Sequence, residues 1–247
     1  MARFSERLDK LLVDKGLAPS RERAQALVLA AKVLVDGRVL TKAGQRVSEA
    51  SEIRVIDEAI PYVGRGGLKL EHALRSFSID VAGKTAMDVG ASTGGFTDCL
   101  LSFGALRVYA VDVGYGQLAF KLRNDPRVVV LERQNIRYMP AELVPEPIDL
   151  ATIDTSFISL KLVIPAVMPF LAPGALLVSL VKPQFEAGRV QVSKGSGVIR
   201  DPEIHRQVCE EVAEFTAGLG FKLIATIPSP VQGAKGNREF LMAALAP

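Results

Sequence analysis

The stretch Thr85–Leu100, TAMDVGASTGGFTDCL, decides how this chain is read. Thr85–Val89 has the apolar run of a short buried strand, Gly90–Gly95 is a glycine-rich turn, and Phe96 onward has the pattern of a helix. Strand, glycine turn and helix N-terminus in that order make a seat for a nucleotide-like ligand. Backbone N–H groups face outward there, and no Cβ blocks close approach. Gly90, Ala91, Ser92, Thr93, Gly94, Gly95 and Phe96 are the candidate ligand contacts.

Neighbouring residues narrow the ligand. Asp88 stands two positions before Gly90, where a carboxylate suits a cationic ligand and repels a pyrophosphate. The turn reads GASTGG and lacks the GxGxxG spacing of dinucleotide binders. Asp112, with Val113 after it, ends the next strand, where a carboxylate accepts both hydroxyls of a ribose. Together these favour S-adenosylmethionine over a dinucleotide. Dinucleotide binders also use an acid at the place of Asp112, and a strand-end cap is its plain alternative. Asn135, in RQNIRYM, either touches the adenine or simply makes a turn.

Outward from this stretch, apolar runs alternate with helical patterns. The expected strands are 85–89, 107–111, 128–131, 149–153, 175–181, 221–227 and 239–244. The expected helices are 68–77, 95–103, 117–121, 160–171 (disturbed by Pro165 and Pro169) and 203–219. Continuous apolar strands separated by helices imply a parallel sheet covered on both faces. A last strand reached through a hairpin-like loop adds one antiparallel neighbour. The fold class expected is α/β, a Rossmann-like seven-stranded sheet, mostly parallel with one antiparallel strand, behind a small N-terminal α+β domain. The domain boundaries expected are 1–60, a glycine-rich linker at 61–67, and 68–247.

With 247 residues, 49% hydrophobic and 23% charged, the composition is globular. The net charge is only +3, but the first 48 residues hold ten basic and five acidic side chains, an excess of +5. A basic module on a near-neutral body suggests an anionic partner at that end. There, 4–15 reads as a helix ended by Gly16, and Ser20 as the N-cap of a second helix. Val33–Val35 and Arg38–Leu40 flank an Asp36-Gly37 hairpin turn, and 46–47 and 52–55 complete a small sheet. Cys99 and Cys209 have no metal or redox spacing and read as buried thiols of a reducing compartment. No metal site is expected. No apolar run reaches the roughly 18 residues of a spanning helix, and the N-terminus lacks a signal-peptide core, so a cytoplasmic protein without a membrane partner is expected.

RLDKLL (Arg7–Leu12), GLAPSRERA (Gly16–Ala24) and KVLVDG (Lys32–Gly37), with Lys42 and Val47, resemble the ribosomal-protein S-four-type RNA-binding domain. That family commonly has glycine just before the first strand, where this chain has Ala31, read as a conservative exchange. The resemblance implies that basic residues of the two helices face folded RNA. Arg3, Arg7, Lys10, Arg21, Arg23, Lys32, Lys42 and Arg65 are the candidate phosphate contacts, with Phe185 as a base-stacking platform. A solvated charged face and a core phenylalanine are their plain alternatives.

YVGRGGLKLEHAL, DVGASTGGFTD, IDTSFISL and VKPQFE resemble the haemolysin-A-like (TlyA) group of FtsJ-type ribosomal RNA methyltransferases over nearly the whole chain. The resemblance implies methyl transfer from S-adenosylmethionine to a ribose 2′-hydroxyl, on a cytidine of ribosomal RNA or of a ribosomal subunit. It also implies a Lys-Asp-Lys-Glu tetrad, which falls by motif on Lys69, Asp154, Lys182 and Glu239. In that reading Lys182 is the base candidate, Asp154 steers the hydroxyl and Glu239 holds the lysines. Burial and a second cation favour a neutral Lys182, and a nearby carboxylate favours the ammonium. A structural Asp–Lys pair is the alternative. The rival readings are a membrane-active protein, which the family's name advertises, an NAD-dependent oxidoreductase, and a non-catalytic RNA-binding assembly factor.

Overall fold

The computed structural model describes residues 5–55, 61–187, 197–233 and 236–247. The chain divides into two compact units, 1–59 and 60–247.

The first unit holds β1 (Ser5–Arg7), α1 (Leu8–Asp14), α2 (Arg21–Leu29), β2 (Val33–Val35), β3 (Arg38–Val39), β4 (Arg46–Ser48) and β5 (Ile53–Val55). Leu8, Leu12, Ala24, Val28 and Val33 are fully buried and form its core. The Ser20 hydroxyl accepts the Arg23 N–H at 3.2 Å, capping α2 as its sequence indicates. Asp36 (φ 49°) and Gly37 (φ 77°) turn the β2–β3 hairpin with the two left-handed residues that a tight turn needs.

Three expectations need correction in this unit. The first described residues, 5–7, are not helical: they form β1, and α1 begins only at Leu8. Residues 46–48 do not complete the sheet of β2, because they pair antiparallel with β1, while β2 lies between β3 and β5. Ala31 is not a conservative exchange. Its φ is 57°, a left-handed backbone that costs an alanine about 1 kcal/mol and a glycine almost nothing.

In the second unit α3 (Gly66–Ser76) precedes β6 (Thr85–Val89), α4 (Gly95–Ser102), β7 (Arg107–Asp112), α5 (Phe120–Arg123), β8 (Val128–Glu132) and β9 (Ile148–Ile153). There follow α6 (Leu160–Val167), β10 (Leu171–Val181), α7 (Pro183–Glu186), α8 (Pro202–Gly218), β11 (Lys222–Pro228) and β12 (Phe240–Leu245). The seven strands run β11-β12-β10-β9-β6-β7-β8. β12 is antiparallel to both of its neighbours, and β6 to β10 are parallel throughout. This is the expected seven-stranded α/β sheet.

Alternation along β6 explains the two apolar layers. Ala86 faces the layer of α3 and α4, with Leu70, Leu74 and Leu100, whereas Met87 and Val89 face the layer of α6 and α8, with Val163, Ile164 and Val212. α6 stops at Val167 and passes into a 3₁₀ turn, Met168–Phe170, where Pro169 cannot continue the α-helical ladder.

The stretch 61–67, expected as a linker, is packed into the second unit. Tyr62 is buried, the Val63 N–H donates to Asp98 Oδ2 at 2.8 Å, and α3 starts at Gly66. Its glycines serve close approach rather than slack. A Cβ on Gly67 would lie 2.3 Å from the Tyr62 ring, and one on Gly95 would lie 3.0 Å from Gly67 N. α5 is displaced from the expected 117–121 because 114–118 is used as a loop, with the Gly116 N–H held by Glu132 Oε1 at 2.9 Å.

Candidate active site

The carboxyl ends of β6, β7, β9 and β10 meet at two adjoining cavities, which share Gly90, Ser92, Asp154, Ser156, Phe157 and Phe185 in their walls. The larger has a volume of about 780 Å³ and lies over the β6–β7 edge, with Asp112, Val113 and Asn135 in its wall. Gly90 has φ 88°, and a Cβ there would lie 2.6 Å from the Asp154 carbonyl oxygen. Only glycine lets the turn pass so close to β9. The Gly90 and Ala91 N–H groups both donate to Val111 O, at 2.8 and 3.1 Å, fastening the turn to β7.

Asp112 accepts the Ser92 N–H at 2.7 Å and the Gly114 N–H at 2.6 Å, one on each carboxylate oxygen, so it holds two loops at the cavity wall. Asn135 Oδ1 accepts the Arg137 N–H at 3.2 Å, so this side chain caps its own turn as well as lining the cavity. Thr155 Oγ1 is buried there without a hydrogen-bond partner. A cradle that a Cβ would fill, a carboxylate at a strand end and an orphaned hydroxyl fit a ligand of the adenosylmethionine kind.

Asp88 is not in that wall. It is fully buried on β6, where Thr97 Oγ1 donates to Oδ2 at 2.7 Å and Thr152 Oγ1 to Oδ1 at 3.2 Å. Burial, abetted by the charge of Asp154, pushes its carboxyl up to about 7, against the opposing pull of the threonine hydroxyls. Asp88 therefore fastens α4 and β9 to β6 beneath the turn. Gly94 also turns inward: its φ is 96° and a Cβ would meet Leu122 at 2.3 Å.

The smaller cavity, about 390 Å³, is lined by Ala91, Thr93, Gly95, Phe96 and Arg65, and by all four of Lys69, Asp154, Lys182 and Glu239. These four come from α3, the end of β9, the end of β10 and the start of β12. They form two ion pairs, Lys69 Nζ–Glu239 Oε2 and Lys182 Nζ–Asp154 Oδ1, each at 2.6 Å. Lys182 Nζ also donates to Thr155 O at 2.9 Å and Ser156 Oγ at 3.2 Å. Glu239, expected to hold both lysines, is bonded to Lys69, while Asp154 takes Lys182. Lys69, Lys182 and Glu239 are buried, and ionised groups so buried need such partners. Cys99, by contrast, is pushed up to about 12 by burial and offers no thiolate.

The model of the FtsJ-like methyltransferases matches residues 62–245, and that of the S4 domain matches residues 6–53. The chain belongs to the FtsJ-like methyltransferase family. It is 47% identical over 243 residues to YqxC of Bacillus subtilis (strain 168), whose provisional name is rRNA methyltransferase; the match covers 98% of this chain and 86% of that one. It is 46% identical over 237 residues to the 16S/23S rRNA (cytidine-2′-O)-methyltransferase TlyA of Mycobacterium tuberculosis (strain ATCC 25618 / H37Rv), covering 96% and 88%. A solved structure from Streptococcus thermophilus, provisionally named a hemolysin, superposes with a TM-score of 0.77 at 44% identity, over 99% of this chain and 90% of that one. No described helix of this methyltransferase is long and apolar enough to cross a membrane.

The remaining expected residues of the methyltransferase fall into groups. Arg7 and Arg21 converge on one buried carboxylate, Asp9. Arg7 Nη2 lies at 2.9 Å and Arg21 Nη2 at 3.3 Å from Asp9 Oδ2, with Gln25 Nε2 at 3.0 Å. The Arg7 guanidinium, above all, holds the Asp9 carboxyl well below the usual carboxylate range. Arg7 also lies over Gly44, where a Cβ would be 3.2 Å from its terminal nitrogens. Lys10 pairs with Glu6 at 2.7 Å; Arg23 and Lys42 are exposed, and Lys32 is half-buried. Arg3 lies outside the described residues.

Phe185 is half-buried, with its ring 5.1 Å from that of Phe157 and 5.8 Å from Lys182 Nζ. Phe157 is 91% exposed with φ 63°. Sequence reasoning passed over it, and also over Asp9, Ser156 and Gly233. Only Asp9 carried a signal, an acid between the basic residues of RLDKLL.

Proposed function

We propose that this methyltransferase moves a methyl group from S-adenosylmethionine to a ribose 2′-hydroxyl of ribosomal RNA, on a cytidine, in the cytoplasm. The observation that carries the reading is two ion pairs, the buried Lys69–Glu239 and the Lys182–Asp154 pair with its half-buried carboxylate, in one cavity that adjoins the Gly90–Asp112 seat. The names of the relatives point to the same substrate class.

In this reading Asp112 would hold the ribose of the donor, and the turn from Gly90 to Thr93, Val113 and Asn135 would hold the rest of it. The bound donor supplies an electrophilic methyl on a sulfonium. The chain's own residues align the hydroxyl and remove its proton. Lys182 Nζ is the final proton acceptor. Asp154 fixes the direction of Nζ and balances the charge that Lys182 gains. Lys69, locked by Glu239, is a fixed cation facing the oxygen that loses its proton. Phe185 and the exposed Phe157 offer aromatic faces for an extruded base. Residues 1–60, with Arg7 and Arg21 spread on Asp9, carry the RNA, and 68–247 carry the chemistry.

Replacement of Lys182 by alanine tests the reading. Transfer of labelled methyl to separated ribosomal subunits is expected to fall at least about a hundredfold, with donor affinity near wild type. Full transfer by Lys182→Ala would remove the tetrad from the reaction. Mapping the labelled site would show whether it is a cytidine 2′-hydroxyl.

A further inference from the structure

We propose that Ser156 is a catalytic residue of this reaction, passing the proton from the ribose hydroxyl to Lys182. The inference rests on the role of Lys182 given above.

A lysine nitrogen has three positions beyond its own Cε. Around Lys182 Nζ all three have an oxygen to meet: Asp154 Oδ1 at 2.6 Å, Thr155 O at 2.9 Å and Ser156 Oγ at 3.2 Å. The centre of the Phe185 ring lies 5.8 Å from the same nitrogen. A substrate hydroxyl therefore has no vacant position at Nζ. The charged ammonium donates to all three oxygens. After Lys182 sheds a proton to solvent it keeps two N–H donors and gains one lone pair, so one of the three oxygens must turn from acceptor to donor. A carbonyl cannot donate, and an ionised carboxylate cannot. The serine hydroxyl can, by rotating about Cβ–Oγ. It is also the most distant of the three.

Ser156 has access to substrate as well. It is exposed, and it lies in the walls of both cavities, at the junction of the donor side and the tetrad side. The transfer balances through it. As the oxygen–carbon bond forms and the carbon–sulfur bond breaks, with its electron pair left on sulfur, the 2′-hydroxyl proton passes to Ser156 Oγ. The Ser156 proton passes to the lone pair of Lys182 Nζ. Serine is regenerated and Lys182 ends as the ammonium, bonded again to its three acceptors.

The test is the single-turnover rate of methyl transfer in the full chain, with ribosomal subunits and S-adenosylmethionine both saturating. Ser156→Ala is expected to lower this rate by about 30- to 100-fold, leaving donor affinity and melting temperature unchanged, and Ser156→Thr to restore most of it. In mixtures of light and heavy water, the wild-type rate is expected to curve with deuterium fraction, as two protons in flight require, and the residual rate of Ser156→Ala to vary linearly. A merely structural serine would not alter that curvature. A rate for Ser156→Ala within about threefold of wild type, or an unchanged curvature, overturns the relay. If Lys182→Ala also keeps its rate, the fault lies in the tetrad; if Lys182→Ala is inactive, it lies in the relay alone.

Discussion

Asp88 is an acid placed where no solvent reaches it, and the consequence is measurable. Its folded pKa of about 7 lies above the roughly 3.9 of an unfolded aspartate. The folded state then holds a proton that the unfolded chain has released, so the contribution of Asp88 to stability falls as pH rises from about 4 to about 7 and is constant beyond. Asp88→Asn removes that titration. In urea unfolding at about pH 5, 6.5 and 8, the stability difference between variant and wild type is expected to shift towards the variant up to about pH 7 and then to level. A difference that does not vary with pH would mean that Asp88 is ionised throughout. Single residues also mark how far the sequence could be read. Lys69, Asp154, Lys182 and Glu239 stand in motifs and were legible. Ser156 was not, because its meaning lies in the count of acceptors around a lysine 26 positions away. Nor was the strain at Ala31, because an alanine does not announce a left-handed φ.

Elements were legible where periodicity spoke, and misread where glycine had two meanings. The strands that end at the site were placed within a few residues, because a parallel strand buried on both faces is an unbroken apolar run. The glycines at 64–67 read as slack, yet they let α3 lie against α4. Gly233 is the sharper case. A Cβ there would stand 2.0 Å from Glu239 Oε1, and the flexible end of a glutamate can yield. Gly233→Ala is therefore expected to push Glu239 off Lys69, lowering stability by about 3 kcal/mol as a buried ion pair is parted without unfolding the chain. Methyl transfer is then expected to fall at least about tenfold. Parallel measurements of melting temperature and transfer rate separate the two effects. A normal rate would mean that the Lys69–Glu239 pair is dispensable.

At the scale of the molecule, the chain folds as two compact units, 1–59 and 60–247. Deleting residues 1–60 is expected to weaken RNA binding and to flatten its dependence on salt, because each lost phosphate contact removes about 0.7 from the logarithmic slope on single-stranded RNA. An unchanged slope, read from binding isotherms at several salt concentrations, would place the phosphate contacts on the second unit. The sheet order was less legible than the strand list, since no local pattern says that β12 enters between β10 and β11. That insertion has a consequence for biosynthesis. β12 is the last strand of the described chain, and it is flanked on both sides by strands made earlier. Glu239, at its threshold, closes the pair with Lys69. The turn from Gly90 to Gly95 and the strands β6 to β10 precede β12 in the chain, but Lys69 cannot be locked until β12 and Glu239 are in place. A chain interrupted before β12 would therefore leave Lys69 without its Glu239 partner and β10 and β11 unjoined.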